Sequence, residues 1–174
     1  MESADPAATS GFERVVHHLD AHGVPYDVVE HAATETAADD AAAARVAAAA
    51  AGKTLVLHDH RGYSLVVIPA DHQLDVGRVR ELTGATARLR LASEEEIARD
   101  LPFYEVGALP PVGPQVPPVD VVDLHLLDVE RALFAAGDHR HSVLMPVRDL
   151  LRLTEPRVAD VCDDPEEPRE GFFP

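Results

Sequence analysis

Cysteine, lysine and long apolar stretches are nearly missing from this chain, and each shortage excludes something. Cys162 is the single cysteine among 174 residues, so no intrachain disulfide can form and no cysteine-based metal centre can be built. No apolar run approaches the roughly 18 residues that a membrane-spanning helix needs. The opening Met1-Glu2-Ser3-Ala4-Asp5 has neither the basic start nor the apolar stretch of a secretory leader, and a cytoplasmic address is the resulting expectation. Lys53 is the only lysine; every other basic side chain is Arg. Lys is a compact point charge with three rotatable donors and Arg a planar fork, so a site can use one where the other fails. A lone lysine is also what strong Arg bias leaves by chance, and composition does not separate the two readings.

Positive charge is scarce as a whole. Fifteen Lys and Arg face 31 Asp and Glu, a formal net charge of −16. Such a field repels nucleic acid and argues against tight, non-specific RNA binding. Its plain reading is a surface kept soluble, including at high salt. The standard catalytic signatures are absent too: no phosphate-binding Walker loop, no dinucleotide glycine fingerprint, no nucleophile elbow and no zinc-protease helix. Ser64, Ser93 and Ser142 stand in no elbow-like context, which speaks against a serine hydrolase.

What the chain does have is an ordinary globular composition, 46% hydrophobic and 26% charged, in a length that suits one domain with tails. Residues 1–10 read as a frayed tail, 11–160 as the folded domain and 161–174 as an acidic, proline-rich disordered end. Phe12, Val15, Val16 and Leu19 have helical spacing, with Gly23 as a stop. Thr36 caps an expected alanine-rich helix over 41–51, closed by Gly52. Strands are expected at 54–58 and 63–69 around an Asp59-His60-Arg61-Gly62 turn, at 87–91, at 119–122, and at 131–136 with 142–145. Helices are expected at 75–82, after the capping box Ser93-Glu94-Glu95-Glu96, and at 146–153. Hairpins mixed with helices predict an α+β, mixed-sheet domain rather than a doubly wound parallel one.

Ten histidines raise the question of a metal. His18 with His22, His58 with His60, and His139 with His141 each present two imidazoles, but no third ligand follows at a recognisable spacing. Surface histidines are the plainer reading, with a metal-dependent hydrolase as the alternative. The stretch from Pro102 to Pro118 is a stiff loop in which Gly107 and Gly113 let backbone N–H groups approach a ligand while Pro110 and Pro111 hold the shape. Fixed N–H donors of this kind stabilise an oxyanion. A loop of the same composition also serves as a plain crossover.

Taken in order, these elements resemble the YbaK/prolyl-tRNA-editing superfamily of free-standing aminoacyl-tRNA deacylases. The resemblance rests on His31 followed by Thr36-Ala37, on Gly52-Lys53-Thr54-Leu55-Val56-Leu57, on Gly107-Ala108-Leu109-Pro110-Pro111-Val112-Gly113, and on Ala136-Gly137-Asp138-His139, across about residues 11–160. It implies a mixed β-sheet or barrel-like core surrounded by helices, with a pocket between the Lys and the Gly-Pro loop. It implies hydrolysis of the ester of mischarged tRNA by water, often helped by the substrate's ribose hydroxyl, with no protein nucleophile and no cofactor. Lys53 would then meet the terminal adenosine or its phosphate. Gly107, Ala108 and Leu109 would offer backbone groups to the aminoacyl end, and His31, Thr36, Pro110, Pro111, Val112, Gly113, Gly137 and His139 would line the substrate. The implied partner is the acceptor end of aminoacyl-tRNA, with an aminoacyl-tRNA synthetase as a second candidate and Arg140 or Arg148 as local cations. Three departures bear on specificity: Val112 where Phe is common, Asp138 where a small residue is usual, and a helix of alanines without the usual polar residues. A binding module of the same fold without catalysis is the alternative.

Overall fold

A computed structural model describes residues 9–85 and 88–163. Residues 1–8 of the expected 1–10 tail and 164–174 of the expected 161–174 tail lie outside the described residues, as does Ala87 of the expected strand at 87–91. Helix α1 (Gly11–Ala21) begins at a Ser10/Glu13 capping box, in which each residue's side chain bonds the other's backbone N–H. It buries Val15 and Leu19 completely. Strand β1 (Asp27–Glu30) follows, then α2 (Ala37–Ala43) with Thr36 as its cap. Strands β2 (Gly52–Asp59) and β3 (Gly62–Pro69) form the expected hairpin. Helix α3 (Val76–Thr83) is closed by Gly84 in the left-handed conformation. Short strand β4 (Arg90–Leu91) and α4 (Glu94–Asp100) precede the proline loop, and the Ser93/Glu96 capping box at α4 is present as expected. Strands β5 (Val119–Asp123), β6 (Arg131–Ala135) and β7 (His141–Pro146), helix α5 (Val147–Thr154) and strand β8 (Arg157–Ala159) complete the order.

The strands make two open sheets rather than a closed barrel among the described residues. One is antiparallel, β1-β7-β6; the other runs β4-β2-β3-β5-β8, with β3, β5 and β8 parallel. The fold is α+β, as the sequence indicates. The main core lies where the sheets meet, with α1 and α5 against it: Val56, Val67 and Val122 from the larger sheet, Phe134, Val143 and Met145 from the smaller, and Leu19 and Leu150 from the helices. Each such buried side chain contributes about 1.5–3 kcal/mol. At one point the sheets all but touch. A Cβ on Gly52 would lie 2.2 Å from the Phe134 ring, so β2 carries glycine where the ring presses against it. The opposite face of the larger sheet carries a second core, Leu57, Val66, Ile68 and Val121, beneath Val79 of α3 and Val161 and Cys162.

Two expectations differ from the structure. The alanine run is not one helix: α2 stops at Ala43, Arg45 takes a left-handed turn (φ 57°), and a single 3-10 turn covers Ala48–Ala50. Ala41 and Ala51 both pack against Leu133. On a continuous helix they would stand about 15 Å apart along the axis, so sharing one contact requires the chain to bend back. The ordered chain also runs past residue 160. Asp75 N–H donates to the Val161 carbonyl (2.8 Å), Val161 N–H donates to the buried Asp123 carboxylate (2.9 Å), and Cys162 is buried. Strand β8, which the sequence did not announce, leads into this segment.

Candidate functional site

Most of the polar residues gathered by the proline loop meet at one cleft of about 740 Å³ at the rim of the main core. Its walls come from three segments: the 33–36 stretch before α2, Glu105, Val106 and Gly107 of the proline loop, and Asp138, His139 and Arg140 of the turn between β6 and β7, with Glu94 at one side. Backbone hydrogen bonds join these walls. Glu105 N–H donates to the Gly137 carbonyl and Gly137 N–H to the Ala108 carbonyl, both at 2.9 Å. Thr34 N–H donates to the His139 carbonyl (3.1 Å) and His31 N–H to the Arg140 carbonyl (2.9 Å). The β6–β7 turn is therefore held on both sides, by the proline loop and by the chain entering α2.

Glycine is required at two points of this frame. Gly107 has φ +85°, and a Cβ there would sit 3.2 Å from Cε1 of the His139 ring. Gly137 has φ +95°, and a Cβ would come within 2.7 Å of the Gly11 backbone at the start of α1. Both are left-handed conformations that L side chains adopt only under strain.

The donors in the loop are not equivalent. Ala108 N–H already donates to the Glu105 carbonyl (3.0 Å), closing a turn. Among the described residues the amides of Gly107 and Leu109 donate to no acceptor, and Gly107 is exposed in the cleft. His139 is tied down by two bonds: its N–H donates to Glu105 Oε2 (3.1 Å), and ring Nε2 lies 2.8 Å from the Val106 carbonyl. A carbonyl only accepts, so in the neutral ring Nε2 carries the proton and Nδ1 offers its lone pair.

Beneath the cleft floor lies a polar network. The nearly buried His31 ring places Nε2 3.0 Å from Ser142 Oγ and 3.7 Å from Asp40 Oδ1, and Thr34 donates its hydroxyl to Asp40. Serine, histidine and aspartate are all present, yet the arrangement is not that of an activated nucleophile. Ser142 is fully buried, and His31 Nδ1 faces the Ala32 carbonyl (2.9 Å) rather than a carboxylate. The network braces the 31–36 segment against β7.

Of the residues singled out in the sequence, Thr36, Gly107 and His139 line the cleft, while Ala108, Gly137 and His31 hold its walls. Leu109, Pro110, Pro111 and Val112 are buried, and Leu109 and Val112 belong to the main core. Pro111, Val112 and Gly113 border a separate cavity of about 260 Å³ beside His18. Nearby, burial raises the Tyr104 phenol to about 12, and its O–H donates to the Pro114 carbonyl (2.6 Å). Arg140 lines the cleft and Arg148 does not.

Lys53 is not brought to the cleft either. Strand alternation turns it to the side of Leu55 and Leu57, away from the face on which Gly52 meets Phe134, and its ammonium donates to the His72 carbonyl (3.1 Å). Sequence reasoning passed over Thr34, Glu35 and Glu94 as lining residues and Asp40 as a brace. A carboxylate in the alanine run, where burial is otherwise cheap, was the available signal for Asp40. With Glu35, Glu94, Glu105 and Asp138 against Arg140 and His139, the cleft is acidic.

The comparisons with known proteins agree with this architecture. A structure solved in work on grafting epitope backbones onto scaffold proteins superposes with a TM-score of 0.78 at 26% identity, covering 90% of this chain and 99% of that one. A candidate trans-editing enzyme for prolyl tRNA synthetase is 30% identical, with a TM-score of 0.78 over 93% of this chain and 100% of its own. A hypothetical protein of solved structure is 32% identical, with a TM-score of 0.77 over 87% of this chain and 100% of that one. No curated protein matches the chain in sequence. The sequence pattern of the aminoacyl-tRNA editing domain matches residues 31–153, and the chain belongs to that family.

Proposed function

We propose that the protein hydrolyses the ester of mischarged aminoacyl-tRNA in trans, with the aminoacyl end of the substrate in the cleft around Gly107. The observation that carries this reading is the union of the Gly107 loop and the Gly137–His139 turn into one wall. It presents the Gly107 backbone amide, which has no acceptor among the described residues, beside an imidazole whose proton is fixed on Nε2 in the neutral ring. Water adds to the acyl carbon, the bond to the ribose oxygen breaks, and the products are a free amino acid and a tRNA with its hydroxyl restored. The Gly107 amide receives the negative charge that develops on the carbonyl oxygen. His139 Nδ1 accepts a hydrogen bond from the attacking water or from the neighbouring ribose hydroxyl. No side-chain nucleophile takes part, so positioning and electrostatics supply the rate.

The acidic rim restricts the contact. A cleft lined by four carboxylates repels a phosphate backbone and accommodates the ammonium of an aminoacyl group. The enzyme therefore reads the aminoacylated terminus and leaves the body of the tRNA alone. Lys53 enters the proposal through family resemblance, as a contact for the terminal adenosine or its phosphate.

The test is a panel of tRNAs charged with Ala, Ser, Cys and Pro, cognate and non-cognate, incubated with catalytic amounts of protein. Faster release of one or more mischarged amino acids is the expected result. Failure on the whole panel would replace the enzyme with a non-catalytic module that binds aminoacyl-tRNA or a synthetase. Lys53→Ala is expected to abolish turnover without unfolding the protein. Unchanged turnover in that variant removes the lysine from the mechanism and leaves the cleft as the whole of the site.

A further inference from the structure

The face of the larger sheet away from the cleft holds a second polar cluster that the deacylase reading does not use. Asp71 and His72 follow β3, Asp123 ends β5 with His125 two residues on, and Asp160 follows β8. The two imidazole rings lie 5.0 Å apart between centroids, inclined by 34°. Each has its Nδ1 beside a carboxylate: His72 at 2.7 Å from Asp71 and His125 at 2.8 Å from Asp123. An ionised carboxylate only accepts, so Nδ1 carries the proton in both rings, and in the neutral rings Nε2 keeps its lone pair. That is how metal-binding histidines are held, the outer carboxylate fixing the tautomer and raising the basicity of the ligand nitrogen.

The support behind the rings is rigid. Asp123 is fully buried; one oxygen accepts the His125 N–H and the other the Val161 N–H, each at 2.9 Å. The loop carrying His72 is tethered by the Lys53 ammonium on the His72 carbonyl. Asp160 brings a third element. One ligand atom from each of Asp123, His125 and Asp160 lies within 4.8 Å of the others. The charge around the cluster is unbalanced in the direction a cation requires. Among the described residues, Asp71, Asp75, Asp123 and Asp160 stand in or beside the cluster, and Arg78 is shared between Asp75 (3.6 Å) and one oxygen of Asp160 (3.2 Å).

We propose that this cluster binds a divalent transition-metal ion with a preference for imidazole, zinc being the type case, between the His72 and His125 rings, with the Asp160 carboxylate available beside His125. Two imidazoles and a carboxylate suit zinc, cobalt or nickel better than magnesium or calcium, which favour all-oxygen shells. The ion would pin the segment after β8 to the loop after β3, two stretches already bridged between Leu74 and Cys162. None of its residues lines the cleft.

The experiment is calorimetric titration of zinc chloride into the full chain stripped of metal with a chelator, repeated on His72→Gln, His125→Gln and His22→Gln. Melting curves of the metal-free variants establish that each is folded. The expected result is saturable binding of one ion per chain, weakened about 10- to 100-fold in the His72 and His125 variants and unchanged in His22→Gln, which alters a different histidine pair. Absence of saturable binding overturns the proposal. So does binding that the folded His72 and His125 variants retain, or binding that His22→Gln abolishes.

Discussion

Two polar regions flank the larger sheet of this protein, and they are built in opposite ways. The cleft side is made of backbone: amides of the Gly107 loop, carbonyls of the Gly137–His139 turn, and two glycines whose missing side chains set the spacing. The Lys53 side is made of side chains anchored on the buried Asp123. A backbone site tolerates wide sequence change around it but not a Cβ inside it. A side-chain site depends on the identity of a few residues.

The comparison can be broken most forcefully through what the two regions share. Phe134→Ala removes the ring against which β2 rests, and it should cost about 3–5 kcal/mol of stability. Denaturant unfolding followed by circular dichroism measures it; a loss below about 1 kcal/mol, the scale of a surface change, would mean the sheets are not spaced by that ring.

A narrower break is Gly107→Val. The new side chain strains the left-handed loop and displaces His139, and deacylation should fall about 100-fold while zinc titrates as before. A loss of zinc binding in step with activity would show that the two regions are one. Ionic strength sharpens the contrast at smaller amplitude. An enzyme that relied on phosphate contacts would lose affinity steeply as salt rises. Here the apparent KM for mischarged tRNA should stay level or improve as salt screens the acidic rim, and a steep rise in KM would overturn the reading of terminus-only contact.

The smallest effect lies outside both regions. Hydrogen bonds from Arg99, and then from the Tyr63 hydroxyl, hold the Asp100 carboxyl down at about 2. A depressed carboxylate contributes stability above its ordinary range and loses that contribution as pH falls towards the folded value. Asp100→Asn should therefore flatten the melting temperature between about pH 4 and pH 2 with almost no change at neutral pH. Cleft activity should be untouched.

Much of the fold was legible because it rests on local signals. Ser93 and Glu96 announce their helix, Thr36 announces α2, and Gly84 closes α3. What could not be read depends on contacts distant in sequence. Ala41 and Ala51 give no local hint that both will meet Leu133, so the alanine run reads as one helix. Strand β8 and the 161–163 segment are ordered by Asp75, Asp123 and Gln73 from far upstream.

The site divides on the same line. The Gly107 loop and the Gly137–His139 turn were visible as motifs, but the hydrogen bonds that unite them, between Glu105 and Gly137 and between Gly137 and Ala108, form only in the fold. The position of Lys53 was not visible, because strand alternation decides which side of a sheet a residue faces and a motif does not record it. His72 and His125 become a pair only after β3 and β5 have aligned in parallel.

The close approach of Gly137 to Gly11 has a practical consequence for anyone trimming the protein. The family pattern starts at residue 31, and a fragment cut to that pattern would look complete on paper. It would lack the first turn of α1, against whose backbone the Gly137 turn rests at a distance that admits no side chain. A piece that lacks α1 would keep every motif of the cleft while losing the backbone against which the Gly137 turn packs.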